Sequence, residues 1–190
     1  MAALERIAAL LATALAACAA TGPAPAPRSA PPPHPPPASA ENVSAEVEMA
    51  DTPFTAEQIR AATKAGRTYR FEVEAPGKPA RVRELTFVTV DAEGAEVRAT
   101  SGDAEPSSQR VSWESLRQHA AFPKARVTTH DEEITVPAGT FACVVYVVRD
   151  GDKTSTFYFA KSLPGAPVLF FSEVGGVRTE TSTLVEHRAE

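Results

Sequence analysis

The sequence predicts an α+β protein that is mainly β, built on a strongly curved antiparallel sheet of about eight strands with two short helices. Tyr69, Phe71 and Val73 alternate with charged residues, as in a strand that buries one face. Short turns rich in Gly and Pro separate the later strands, which must then be antiparallel because a parallel pair needs a crossover of about a dozen residues. Residues 144–148 and 168–171 are apolar on both faces, so helices, a curled sheet or a ligand must cover the middle of the sheet.

Two short helices are predicted on either side of the first strands. Thr55 can cap the first helix while Gln58 returns a hydrogen bond to the cap, and Gly66 is predicted to end it in a left-handed conformation. The second helix is predicted over residues 112–121, where Ser112 caps it and a following proline prevents its continuation. We expect a helix to lie on the concave face of the sheet.

The strands fall into two blocks. In residues 82–90 the apolar positions change phase between Val82 and Leu85, which indicates a bulge or a strand buried on both faces. Residues 101–109 are predicted to form a polar loop after the first block. The predicted strands cover residues 69–74, 82–90, 95–99, 126–136, 140–149, 154–160, 168–174 and 177–187.

The first residues of the chain are typical of a secretory signal. Residues 7–17 form an apolar run that is too short for a permanent membrane-spanning helix and matches the core of a signal peptide. The run ends in the four residues Leu-Ala-Ala-Cys, a lipobox that resembles the signal of bacterial lipoproteins. That resemblance implies cleavage between Ala17 and Cys18 and lipidation of Cys18. An ordinary secretory signal, cleaved nearby, is the alternative.

These features predict three parts in the chain. A lipoprotein signal peptide occupies residues 1–17, the lipidated cysteine and a disordered linker rich in Pro and Ala occupy residues 18–50, and a single β-rich domain occupies residues 51–190. The prolines favour polyproline II, which has no internal hydrogen bonds. In the Gram-negative lipoproteins that the signal resembles, an aspartate after the cysteine favours the inner membrane. Ala19 therefore implies a lipid-anchored protein of the outer membrane, facing the periplasm or the cell surface.

No catalytic, cofactor or metal site is predicted. The net charge of −5 does not favour nucleic acid, and no phosphate-binding glycine loop, zinc-ligand pair or nucleophile elbow occurs in the sequence. His130 and Glu132 can share one face of a strand, but two ligands do not make a metal site, so a solvated strand face is the simpler interpretation. His119 is predicted near the end of the second helix. Cys143 is predicted to be buried in an apolar run, with a reactive thiol or an intermolecular disulfide as alternatives.

Part of the second half resembles a known group of proteins. Residues 113–123, 136–143 and 157–168 are similar to uncharacterised envelope lipoproteins of Gram-negative bacteria, and the Val-Pro-Ala-Gly-Thr-Phe hairpin that begins at Val136 is the most distinctive piece. More loosely, the expected architecture is similar to the lipoprotein-carrier half-barrels, which hold acyl chains under a helical lid. The resemblance implies no catalytic residues.

We therefore expect a non-enzymatic, membrane-anchored lipoprotein of the cell envelope that binds an apolar ligand or a protein partner through its β domain. A structural or assembly lipoprotein with no small-molecule ligand is the alternative. An enzyme is the third hypothesis, and it would need His130, Glu132 and another acid to meet in a cleft.

Overall fold

The computed structural model describes residues 47–188, which form one antiparallel sheet of nine strands with two α-helices and a short 3₁₀ helix. The predicted signal peptide, Ala17, Cys18 and the linker up to residue 46 lie outside the described residues. The elements are α1 (Ala56–Ala62), β1 (Thr68–Glu74), β2 (Arg81–Val90), β3 (Gly94–Ser101), β4 (Ser107–Ser112), α2 (Trp113–Gln118), the 3₁₀ helix (Lys124–Arg126), β5 (Val127–Val136), β6 (Gly139–Asp150), β7 (Lys153–Ala160), β8 (Leu169–Val174) and β9 (Val177–Arg188).

The strand order across the sheet is β4-β3-β2-β1-β9-β8-β7-β6-β5, and every pair within the described residues is antiparallel. The antiparallel, mainly β prediction is therefore confirmed. Strands β1–β4 form one meander and strands β5–β9 form another. A single strand pair, β1 with β9, joins the two meanders, so the first and last strands meet in the middle of the sheet.

The sheet has one strand more than expected because residues 107–112 form β4 rather than the end of a polar loop. Among the described residues this strand pairs with β3 alone, so it is an edge strand. It has little apolar surface to bury. Strand β2 has a register shift in its pairing with β3, but the shift lies between Phe87 and Thr89 and not between Val82 and Leu85, where the pairing is regular.

Capping defines the start of both helices as predicted. The hydroxyl of Thr55 accepts from the Gln58 backbone N–H while the Gln58 side chain accepts from the Thr55 backbone N–H, which completes a capping box. The hydroxyl of Ser112 caps α2 by accepting from the Ser115 backbone N–H, although α2 ends at Gln118 and is shorter than expected. The prediction that Gly66 ends the first helix is wrong, because α1 ends at Ala62. Gly66 instead takes a φ of 87° in the turn before β1, where its N–H donates to the carbonyl of Phe87.

Among residues 47–188, backbone pairing begins at Glu48, in the segment that leads to α1. The carbonyl of Glu48 accepts from Lys124 N–H, and Ala50 N–H donates to the carbonyl of Phe122, both at 2.9 Å. The side chain of Phe54 is buried and meets Phe159 edge-on, with 6.3 Å between ring centroids. These contacts fix the start of α1 on the β domain.

Two contacts join strands that are not neighbours in the sheet. Ala138, in the β5–β6 turn, donates its N–H to the carbonyl of Leu184 in β9 at 3.4 Å. The rings of Phe141 in β6 and His187 in β9 lie 6.2 Å apart, although β7 and β8 separate these strands in the hydrogen-bonded order. Leu184 is fully buried at this meeting point. Within residues 47–188 no helix has the length and apolar composition that crossing a bilayer requires.

Candidate functional site

A groove with a volume of about 420 Å³ lies between the two helices and one face of the sheet. Both meanders contribute to its lining, and so does the loop between β7 and β8. The apolar lining residues are Ile59, Tyr69, Phe71, Val73, Leu85, Phe87, Val97, Val111, Leu116, Ala120, Phe157, Phe159, Ala166, Pro167 and Phe170.

Strand register explains why these side chains share one face. Residues that lie directly opposite in an antiparallel pair point to the same side of the sheet. Tyr69 lies opposite Leu85, and Phe157 lies opposite Phe170 with 4.9 Å between the ring centroids. Phe159 stacks on Phe157 at 6.1 Å, which extends the aromatic wall of the second meander. Aromatic side chains from both meanders therefore form the floor of the groove.

The helices supply the opposite wall. Ile59 of α1 is buried against the groove, and Leu116 and Ala120 approach it from α2 and the residues after it. The indole N–H of Trp113 donates to the carbonyl of Asp91 at 3.1 Å, so the first residue of α2 is held on the β2–β3 turn. The helices are thus fixed to the sheet at their starts, and their apolar side chains face the aromatic floor.

The rim of the groove is polar. Arg81 and Arg83 are exposed, and they share a face with Leu85 because they alternate with it along β2. Neither arginine forms an ion pair with any described residue. Glu180 lines the groove from β9, and His119, the C-cap residue of α2 as expected, lines it from the helix side.

Three buried polar atoms form no hydrogen bond of regular geometry within the described part of the chain: Arg67 Nε, the Tyr69 hydroxyl and His187 Nδ1. Of these residues only Tyr69 lines the groove. Arg67 is only 3% exposed and Tyr69 only 2% exposed. One terminal nitrogen of Arg67 donates to the carbonyl of Ala62, and the guanidinium lies over the Tyr69 ring, 5.0 Å from its centroid. His187 lies directly opposite Tyr69 in the β1–β9 pair.

Burial raises the pKa of the Tyr69 hydroxyl to about 12, against the opposing influences of the positive charge on Arg67 and of a side-chain hydrogen bond with Arg67. The hydroxyl is therefore protonated at neutral pH and can act as a donor. It points toward the loop wall of the groove, where a Cβ added at Gly165 would lie 3.1 Å from the oxygen. The Tyr69 hydroxyl therefore lies near the wall of the groove, and Arg67, which does not line the groove, packs against the Tyr69 ring.

The other residues considered in the sequence lie away from this groove. His130 Nε2 is 3.2 Å from a carboxylate oxygen of Glu132, and both side chains are about half exposed, so the expected solvated strand face is confirmed. The neighbouring residue Asp131 forms an ion pair with Lys161, with 2.8 Å between Oδ2 and Nζ. No group of three or more potential metal ligands occurs in residues 47–188.

Cys143 is buried, as expected, with only 1% of its surface exposed. Burial is the main cause that raises the pKa of its thiol to about 11, with a smaller contribution from the negative charge of Glu132. The thiol is therefore protonated at neutral pH and is a poor nucleophile.

Sequence reasoning missed Arg67 and the polar rim. The change of apolar phase after Val82 was the signal in the sequence that could have identified the rim. In the phase set by Leu85 and Phe87, Arg81 and Arg83 lie on the groove face of β2, and Val82 is 39% exposed. Arg67 follows Gly66 in a turn and belongs to no apolar pattern, so nothing in its neighbourhood predicts that its side chain is buried.

Comparisons with known proteins show a likeness in fold. No protein-family model and no curated protein matches the sequence. Among solved structures, MucB in complex with MucA(peri) matches with a TM-score of 0.50 and 14% identity, over 70% of this chain and 52% of that chain. The Pseudomonas aeruginosa MucA/MucB complex matches with a TM-score of 0.49 and 13% identity, over 70% and 53% of the two chains.

A structure of MucB alone matches with a TM-score of 0.49 and 11% identity, over 70% of this chain and 56% of that chain. The chain thus spans about half the length of the chains that it matches. At such low identity the likeness to MucB in its complex concerns the fold alone.

Proposed function

We propose that this chain is a non-enzymatic, membrane-anchored lipoprotein of the bacterial cell envelope whose β domain binds an apolar ligand in the groove. The observation that carries the proposal is the groove itself. Its volume of about 420 Å³ falls within the range of about 300–1,000 Å³ that is typical of small-molecule sites. Its lining is mostly aromatic and aliphatic, with few polar groups, which is the usual composition of such sites.

We propose further that the sheet is strongly curved and that the helices lie on its concave face. Neighbouring strands are spaced by about 4.8 Å, so β6 and β9 would lie about 14 Å apart in a flat sheet. The distance of 6.2 Å between the rings of Phe141 and His187, and the hydrogen bond between Ala138 and Leu184, support a sheet that rolls inward at this end. Such curvature gives the groove its depth.

The membrane anchor is proposed to be a lipid on Cys18. Stable anchoring requires two or more acyl chains, because one chain gives only marginal membrane binding. The Pro-rich linker would then hold the β domain away from the lipid surface. Ala19 favours the outer membrane, in keeping with the lipoproteins that the signal resembles.

Native mass spectrometry of the full chain, extracted mildly from membranes, tests the groove. We expect the intact protein to carry a small apolar molecule. Ala166→Trp places a large ring in the groove and should remove that molecule, whereas Ala142→Trp alters an exposed alanine outside the groove and should not. A parent protein without bound molecules, or equal occupancy in both variants, would contradict the proposal.

Metabolic labelling with an alkyne-tagged fatty acid tests the anchor. The parent should be labelled and should sediment with outer membranes, and Cys18→Ser should lose both properties. Cys143→Ser is the matched control, because it removes a buried thiol from the folded domain and should leave the label in place. Normal processing and membrane partition of the Cys18→Ser protein would exclude lipidation at this position.

A protein partner is the second candidate. Among the described residues, β4 and β5 are the free edges of the sheet, and β5 presents ten residues whose outer edge is unpaired. An exposed edge can accept a strand from another chain. The MucB structure with a TM-score of 0.50 holds MucA(peri), which makes protein binding a reasonable role for this fold.

Photo-crosslinking in the intact envelope tests this candidate. A crosslinking amino acid at His130, in the β5 edge, should give one discrete adduct, whereas the same amino acid at Lys78, in the exposed β1–β2 turn, should give none. Identical patterns at both positions would argue against an edge partner and favour a structural lipoprotein without one.

A further inference from the structure

Two arginines line the groove where β2 enters it. Arg81 and Arg83 lie on the same face of β2, with their Cα atoms about 7 Å apart because a strand rises about 3.3 Å per residue. In the pairing of β1 with β2, Arg81 lies opposite Val73 and Arg83 lies opposite Phe71. Both of these partners are buried and line the groove, so two exposed cations lie directly beside its apolar floor.

The groove face of β2 changes from charged to apolar along the strand. Arg81 and Arg83 are exposed, Leu85 is half-buried and Phe87 is buried. The side chain of Ile59, on α1, is buried against the groove as well. The groove therefore has a charged rim that water reaches and an apolar interior that water does not reach.

The charge at the rim is opposite in sign to that of the whole protein. Neither arginine forms an ion pair with any of residues 47–188. The groove lining in this part of the chain contains two arginines and one acid, Glu180, whereas the chain carries a net charge of −5. A local excess of positive charge attracts anions and repels cations.

We propose that the ligand of the groove is an amphiphile with an anionic head group, which binds with its head at the rim. The head lies between the guanidinium groups of Arg81 and Arg83, and the apolar chain lies over Phe71 along the aromatic floor. This inference rests on the proposed ligand-binding function and names the class of ligand.

The two parts of the site have different tasks. Arginine donates several hydrogen bonds in a planar array that matches phosphate and carboxylate groups. Because Arg81 and Arg83 are exposed, ion pairs with them add little affinity, and the buried apolar surface supplies most of it. The arginines therefore select the charge and the orientation of the ligand.

The test compares two probes with the same chain and opposite head groups. The full chain, held in a non-ionic amphipol, is loaded with cis-parinaric acid methyl ester, a neutral reporter whose fluorescence rises in an apolar site. Dodecyl phosphate and dodecyltrimethylammonium then compete with the reporter below their micellar concentrations, and the signal of empty amphipol is subtracted. Dodecyl phosphate should displace the reporter at a concentration about tenfold lower than the ammonium probe does.

Two conditions separate the head group from the chain. Inorganic phosphate, which has no apolar chain, should leave the reporter bound. High salt should reduce the difference between the two dodecyl probes, because the charges at the rim are exposed and are screened.

Charge reversal locates the head of the ligand. Arg81→Glu combined with Arg83→Glu should retain the reporter and bind the ammonium probe more tightly than the phosphate probe. Arg81→Gln combined with Arg83→Gln removes the charge without reversing it and should abolish the preference. Arg98→Glu combined with Arg149→Glu is the matched control, since both residues are exposed, neither lines the groove and the change in net charge is the same.

The outcomes separate this inference from the proposed function. If both dodecyl probes displace the reporter equally well and reversal at the rim has no effect, the anionic head group is overturned and the apolar groove stands. A reversed preference in the Arg98 and Arg149 control, or displacement of the reporter by inorganic phosphate, also overturns this inference. If the parent does not bind the reporter or either dodecyl probe, the groove and the charged rim are both overturned as a ligand site.

Discussion

Replacing Arg67 with methionine should change the free energy of unfolding of the ligand-free protein by between about −2 and +3 kcal/mol. Most truncations of a buried side chain destabilise a protein, so this expectation is unusual. It follows from the absence of an ion pair for Arg67 among residues 47–188 and from its exposure of only 3%.

The magnitude follows from three contributions. An uncompensated buried charge destabilises a fold by about 3–5 kcal/mol. The hydrogen bond from Arg67 to the carbonyl of Ala62 offsets about 1.5–3 kcal/mol, and the contact with the Tyr69 ring offsets about 0.5–2 kcal/mol. Methionine keeps an unbranched apolar stem and removes the charge. Ala62 is half-buried, so water can replace the lost donor at its carbonyl.

Urea denaturation, followed through the fluorescence of Trp113 and by circular dichroism, measures the change in the free energy of unfolding. Trp113 is the one tryptophan of the chain and is buried at the start of α2. Arg70→Met is the control, since Arg70 is about half exposed and 3.8 Å from Glu186, and it should change stability by less than about 0.5 kcal/mol. A loss of more than about 2 kcal/mol in ligand-free Arg67→Met would refute the reasoning and make Arg67 a structural residue.

Three further predictions concern the fold. Cys143 should resist alkylation by iodoacetamide at pH 8 and react after unfolding, because its pKa of about 11 keeps the thiol protonated; rapid reaction of the native protein would contradict this. Leu184→Ala should lower the free energy of unfolding by about 2–5 kcal/mol in urea titrations, whereas Val177→Ala, at a 66% exposed position, should change it by less than about 0.5 kcal/mol. Thr55→Ala should cost about 1 kcal/mol by removing the cap of α1, and equal stability of parent and variant would show that the capping box contributes nothing.

Most strands could be predicted because each meander is local in sequence. Alternation along β1 and the tight turns after Val136 and Asp150 fix direction and pairing between successive strands. The pairing of β1 with β9 could not be predicted in this way, since it joins Thr68 to Arg188 and no turn connects the two strands. Strand β4 was missed because, of its six residues, only Val111 is apolar.

The candidate site was less predictable than the fold. Apolar runs in the second meander indicated a covered sheet, and that expectation agrees with the groove between sheet and helices. The buried polar pair gave no signal, because Arg67 and Tyr69 lie at the start of a strand whose alternation accounts for Tyr69 as an ordinary core residue. Only the three-dimensional arrangement shows that the buried Arg67 guanidinium lies over the Tyr69 ring.

The groove exists only in the assembled domain, because both meanders contribute to its lining. Phe71 and Leu85 come from the first meander and Phe157 and Phe170 from the second, and the β1–β9 pair joins the two meanders. Either meander alone would leave an aromatic surface open to water, so pairing of the first and last strands is what makes these surfaces into one site. Tyr69 lies on β1, the strand of the first meander at this junction, which places its buried hydroxyl where the two meanders meet.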